Sequence, residues 1–143
     1  MNAYLGLDLG EKRVGIAVSD EMGMLATPLQ TLEFKSRKFV LAEISRLAVE
    51  YRASFVVVGF PITLKGTVET AALKVKEHVK WFESNSDLAW ILWDERMSTQ
   101  EVERLLIDAD VRRSDRKNLR DKLAAQRILQ NYLDFQRSVK DRA

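Results

Sequence analysis

No cysteine occurs in the 143-residue chain, which excludes disulfide staples and thiolate chemistry. There is one histidine, His78, so a nitrogen-and-sulfur metal centre has almost no donors to draw on. No apolar run approaches the roughly 18 residues needed to span a bilayer, and the first residues read as a strand rather than a signal peptide, so a cytoplasmic protein without membrane partners is expected. Charge of one sign is also lacking: with a formal net charge of +2, any affinity for polyanions must come from where the basic residues lie. What is present, 46% hydrophobic and 31% charged residues, suits a soluble chain folding as one domain over residues 1–143.

Periodicity and punctuation predict an α/β fold. Two strands, about 3–9 and 14–19, are joined by the tight turn Gly10-Glu11-Lys12-Arg13 and should pair as an antiparallel hairpin. A turn at Asp20–Gly23 leads to a third strand, Leu25–Leu32, which Pro28 confines to a sheet edge because proline cannot donate to a ladder. The period then changes. Val40, Ile44, Leu47, Ala48 and Tyr51 share one face of a helix that Ser36 can cap, and Phe55–Gly59 is apolar on both faces, as a covered parallel strand would be. Gly66-Thr67 opens a helix that turns Val68, Ala71, Ala72, Val75, Val79 and Phe82 inward, and Ala89–Trp93 is a fifth strand. Ser98 and Glu101 form a capping box for a further helix, a basic loop is expected from about 110 to 119, and a last helix from about 120 to 136. The sum is a mixed five-stranded sheet with strand one at its centre, the first three strands antiparallel, the last two parallel to strand one, and helices on both faces.

Against this frame Asp8 stands out. It lies in the apolar run Ala3–Gly10, where an uncompensated charge would cost several kcal/mol, so a cation or a set of donors must meet it. Strand alternation puts Asp8 on one face with Tyr4 and Gly6, and the small Gly6 is expected to leave room beside the carboxylate. The end of strand five brings Asp94 and Glu95, which point to opposite faces of a regular strand, so one of them can join Asp8. A third acid, Asp121, begins the stripe Asp121, Ala124, Ala125, Ile128, Leu129, Tyr132 of the last helix, and the two alanines let that helix lie close to the sheet. Carboxylates ~4 Å apart repel by about 4 kcal/mol per pair at an effective dielectric of 20, and a divalent cation reverses the sign. Oxygen-only ligation favours Mg²⁺, with Mn²⁺ as a substitute, and the chemistry that follows is phosphodiester hydrolysis. Each acid also has a plainer reading: Asp8 could pair with Lys12 or Arg13, Asp94 and Glu95 could be strand-end polar residues, and Asp121 could serve a helix N-terminus.

Four blocks in order carry a family resemblance: Gly6-Leu-Asp8-Leu-Gly10-Glu-Lys-Arg13-Val-Gly-Ile-Ala-Val-Ser-Asp20, Val58-Gly-Phe-Pro61 with Gly66-Thr67, Asp94-Glu-Arg96-Met-Ser-Thr99, and Asp121-Lys-Leu-Ala-Ala-Gln126 through Leu133. They resemble the YqgF/RuvX family, known as Holliday-junction resolvases and pre-16S rRNA nucleases. The resemblance implies a ribonuclease-H-like fold and metal-dependent endonuclease chemistry, with Asp8, Glu95 and Asp121 at the acidic catalytic and metal-binding positions and Asp94 the lesser candidate. Two departures stand out, Glu11 where a threonine is usual and Ile62-Thr63 where Leu-Asn is common. Glu11 would add an acid near the mouth of the site.

Arg112, Arg113, Arg116, Lys117, Arg120 and Lys122 adjoin Asp121 in sequence, and Lys12, Arg13, Lys65 and Arg96 fall in turns or strand ends at the same expected end of the sheet. Such residues position a phosphate backbone without reading bases, which suits recognition of precursor rRNA or branched DNA by shape. His78 reads as a boundary residue of its helix, and Trp81, Trp90 and Trp93 as core or edge residues. Either a monomer or a homodimer is compatible, junction resolution requiring two sites. Two other classes compete. The Asp8-Leu-Gly10 hairpin is similar to the first phosphate loop of sugar kinases and actin-like ATPases, but the chain has neither a second such loop nor a glycine-rich adenosine motif. A non-catalytic nucleic-acid-binding ribosome-assembly factor on the same fold is the remaining alternative.

Overall fold

The computed structural model describes residues 2–60, 70–94 and 113–142, and the side chains of these except 113–120 and 139–142. The predicted start of the second helix at Gly66-Thr67 and the predicted helix after Ser98 lie outside the described residues. The sheet is built from β1 (Ala3–Leu9), β2 (Arg13–Ser19), β3 (Ala26–Glu33), β4 (Ala53–Phe60) and β5 (Ala89–Asp94). Their order is β3-β2-β1-β4-β5; β1–β2 and β2–β3 are antiparallel, β1–β4 and β4–β5 parallel. This is the predicted sheet with β1 at its centre. Pro28 lies on the edge strand next to a register shift opposite Ile16 and Ala17, where a missing N–H does least harm.

Helices α1 (Arg37–Tyr51) and α2 (Thr70–Ser84) cover one face of the sheet, and α3 (Arg113–Arg142) covers the other. Ser36 caps α1 as expected, its hydroxyl accepting from the Phe39 N–H at 3.0 Å. At the other end Arg52, in a left-handed conformation with φ 55°, donates to the carbonyls of Ala48 and Val49 and turns the chain into β4 within one residue. The α1/α2 face buries Leu5, Leu7 and Leu9 of β1, Val14, Ile16 and Val18 of β2, and Val56 and Val58 of β4 beneath Ile44, Val79 and Phe82. Val57 turns the other way, into the α3 core, which is why this segment of β4 reads as apolar on both sides.

The last helix differs from its expected span. It begins by Arg113 rather than near residue 120, so Arg113, Arg116, Lys117 and Arg120, assigned to a loop or helix start by their polarity, occupy its first turns. It also runs to Arg142 instead of stopping near 136. Neither glycine nor proline interrupts 113–142, and the straight-chain charged residues that make the segment look loop-like are good helix formers. Among the described residues no helix is long and apolar enough to cross a membrane.

Candidate active site

On the α3 face the hairpin carries little bulk between Tyr4 and Asp8. Register pairs Gly6 with Ala17 and Asp8 with Gly15, so beyond Tyr4 the lane under α3 is lined by glycine and alanine up to Asp8. A Cβ built on Gly6 would come 2.7 Å from Leu129 Cβ and 3.0 Å from the Ala125 carbonyl oxygen. The space beside Asp8 that Gly6 was expected to leave open is therefore filled by α3 itself. At Gly15 the approach is closer still: a Cβ there would lie 1.9 Å from the carbonyl oxygen of Asp121. Asp121, Ala125 and Leu129 form one i, i+4 ridge, and that ridge lies across the two glycines.

Because Gly15 is the cross-strand partner of Asp8, this packing sets the Asp121 backbone over the residue adjacent to Asp8. Asp8 is half-buried near the end of β1, and the Asp121 side chain is 14% exposed. Arg13, the first residue of β2, donates from Nε to Asp121 Oδ2 at 2.8 Å, closing an ion pair across 108 residues of sequence. Of the plainer readings, then, the hairpin arginine does pair with an acid of the set, and Asp121 is that acid.

The hairpin turn is a hub. Three consecutive residues bind three different elements: Glu11 accepts from Lys74 Nζ of α2 at 3.0 Å, the Lys12 carbonyl accepts from the Phe34 N–H in the β3–α1 link at 2.8 Å, and Arg13 holds α3. Glu11, expected to add an acid at the mouth of the site, instead reaches α2, where the Lys74 ammonium beside it holds its carboxyl below the usual range. On the far side of the sheet Arg37 Nε donates to His78 Nδ1 at 2.8 Å, with the Phe34 ring 4.9 Å from the imidazole. Burial, together with the charges of Arg37 and Lys74, holds His78 below its ordinary value of 6.5, while Glu77 opposes the shift. His78 thus bridges two helices as a boundary residue.

Asp94 pairs in register with Phe60, which packs on the α1/α2 core, as do the alternating positions Val56 and Val58 of β4. That register assigns Asp94 to the face opposite Asp8, and its Oδ1 is buried there. Glu95, Arg96, Lys65 and Arg112 lie outside the described residues. Arg113, Arg116, Lys117 and Arg120 occupy the first turns of α3, ahead of Asp121 in the chain. Among the described residues no three His, Asp or Glu side chains gather; of the expected acids, Asp8 and Asp121 are described on the α3 side of the sheet and Asp94 on the other.

Two further contacts escaped the sequence reading. Gln130 Oε1 accepts from the Ala26 N–H at 2.8 Å, and Gln126 Nε2 donates to the Ala26 carbonyl at 3.1 Å, so two amides one helical turn apart fasten α3 to the edge strand. Gly15 itself was the available signal for the helix approach, since a glycine inside a strand often marks a close backbone neighbour.

Comparison with known proteins adds the family. A model of the RuvX family, described as Holliday junction resolvase, matches residues 2–135. A protein of Geobacillus sp. (strain WCH70) named "Putative pre-16S rRNA nuclease" is 46% identical over 132 residues, 91% of this chain and 96% of its own. One of the same name from Thermoanaerobacter pseudethanolicus is 41% identical over 135 residues, 94% of this chain and 97% of its own. Among solved structures, Thermus thermophilus RuvC in complex with a Holliday junction substrate superposes with a TM-score of 0.56 at 14% identity, covering 96% of this chain and 97% of that one. The fowlpox virus resolvase with Holliday junction DNA gives 0.57 at 13% identity, covering 92% and 97%. These two share the fold, and the family match and the sequence relatives establish that the chain belongs to the RuvX (YqgF) family.

Proposed function

We propose that the protein is a metal-dependent endonuclease that hydrolyses phosphodiester bonds in structured nucleic acid, with the 5′ end of pre-16S rRNA as its foremost substrate and the Holliday junction as the second. The observation that carries this reading is the seating of α3 on Gly15, which brings the Asp121 backbone against the strand position paired with Asp8. The family description and the relatives' names support the class of reaction.

The donor set fits a hard divalent cation. Asp8 and Asp121 offer carboxylate oxygens only, on partly buried side chains, and such donors are the ones a hard divalent cation would take. We assign them as ligands of Mg²⁺, or Mn²⁺ in its place, together with Glu95, because the register of β5 turns Asp94 to the other face. Such an ion, when bound, supplies Lewis acidity at the phosphate and lowers the pKa of the attacking water. The chain's own contribution is positional. Arg13 fixes one oxygen of Asp121, and the hairpin turn ties Arg13 and Asp8 into one rigid unit. Lys12, Arg13 and the basic first turns of α3 hold the substrate backbone by phosphate contacts, with Lys65, Arg96 and Arg112 as further contributors.

The test compares labelled precursor rRNA and a labelled four-way DNA junction with Mg²⁺, Mn²⁺ or chelator. Asp8→Asn should lower cleavage by roughly 10³-fold or more, as expected when several kcal/mol of transition-state stabilisation is lost, while leaving the melting temperature near that of the parent. Cleavage that persists in Asp8→Asn or in chelator overturns the assignment. An unchanged ribosome-assembly phenotype in cells carrying Asp8→Asn would favour the non-catalytic factor.

A further inference from the structure

Lys35 of the β3–α1 link and Arg37 and Lys38 of the first turn of α1 follow one another without an intervening acid, and none of them belongs to the site described above. Their position gives them a role. The link is hydrogen-bonded to the hairpin turn through Phe34 and Lys12, so it lies at the same end of the sheet as Asp8, on the side of the turn away from α3. Lys12, Lys35 and Lys38 are exposed, and Lys74 of α2 reaches the same turn through Glu11.

Two of these cations are held in place. The Lys35 ammonium stands 4.8 Å over the Phe39 ring. Arg37 is fastened by Nε to His78, and a bond to an uncharged imidazole orients the guanidinium without cancelling its charge. Helix stability does not account for them, since the first turn of α1 carries cations and no acid, against the helix dipole. The nearby acids are Glu11, engaged by Lys74; Glu33, paired in register with Arg13; and Glu77 on α2.

We infer that Lys35, Arg37 and Lys38, together with Lys12, form a second phosphate-binding strip, which grips a helical arm of the nucleic acid on the flank of the site opposite α3. The inference rests on the nuclease reading above. A substrate arm would then be held on both sides of the hairpin turn, by the α3 cations on one and by this strip on the other. Arg37 is the positioned member, and His78 is its positioning residue.

The test is a binding titration in an Asp8→Asn background, by fluorescence anisotropy of a labelled four-way DNA junction and a labelled RNA stem-loop across NaCl concentrations. Lys35→Ala with Lys38→Ala should weaken binding roughly tenfold to a hundredfold near 0.1 M salt and reduce the slope of log K against log[salt] by about 2. Arg46→Ala with Lys80→Ala removes equal charge from exposed positions outside the strip and should leave the slope unaltered. A slope untouched by the first pair, or reduced equally by both pairs, overturns the strip. Cleavage by the parent protein on the same probes is scored separately. The expected slope change in the double variant, with no cutting by the parent protein, overturns the nuclease reading and leaves the strip standing; absence of binding to both probes overturns both.

Discussion

The two faces of the β1–β2 hairpin are built on opposite principles. On one, Leu5, Leu7, Leu9, Val14, Ile16 and Val18 are all at most 8% exposed and fill the space under α1 and α2. On the other, Gly6, Ala17 and Gly15 present little beyond backbone, and α3 lies directly on the strands. Large side chains hold helices at a distance set by their own volume, whereas their absence lets a helix backbone approach the sheet. The first face contributes burial, and the second places Asp121 beside the Asp8–Gly15 pair. Both faces bury apolar residues, but it is the α3 face of the same seven-residue strands that carries the candidate site.

That contrast can be broken from either side. Leu7→Ala opens a cavity in the α1/α2 core and should cost about 2–5 kcal/mol of stability in denaturant unfolding, while cleavage measured under folded conditions follows the folded fraction. Gly15→Ala should cost somewhat less, about 1–3 kcal/mol for forced overpacking, yet reduce cleavage well beyond the unfolded fraction, because the Asp121 carbonyl must move. Equal loss of activity per unit of stability in the two variants would show that the faces are not specialised.

The smallest effect concerns acid. His78 is depressed below 6.5, so in the window just under that value the unfolded chain binds a proton that the folded chain refuses. His78 should therefore make stability fall as pH drops through its ordinary value of 6.5, and contribute no slope well above it. His78→Gln should flatten that slope in thermal melts. A slope identical to the parent's would place its origin in other groups.

The strand pattern and its punctuation were legible because they obey local rules. Alternation in β1, the turn at Gly10–Lys12, Pro28 on the edge and the doubly apolar β4 each point to one pairing, and together they fix the sheet order. The start of α3 was not legible, because a basic, polar helix turn and a basic loop share a composition. Nor was the destination of Glu11, since whether it faces the site or α2 depends on where Lys74 stands.

By itself, then, the sequence determined which residues must be compensated: carboxylates in strand and helix-stripe positions demand a cation or a set of hydrogen-bond donors whatever the details of packing. Only the tertiary structure decided who supplies it and from where. Arg13 and Asp121 are 108 residues apart, and they meet because two glycines let one helix ridge settle onto the sheet. Local pattern cannot encode that contact distance, because it is set by side-chain volume missing from one element and backbone arriving from another.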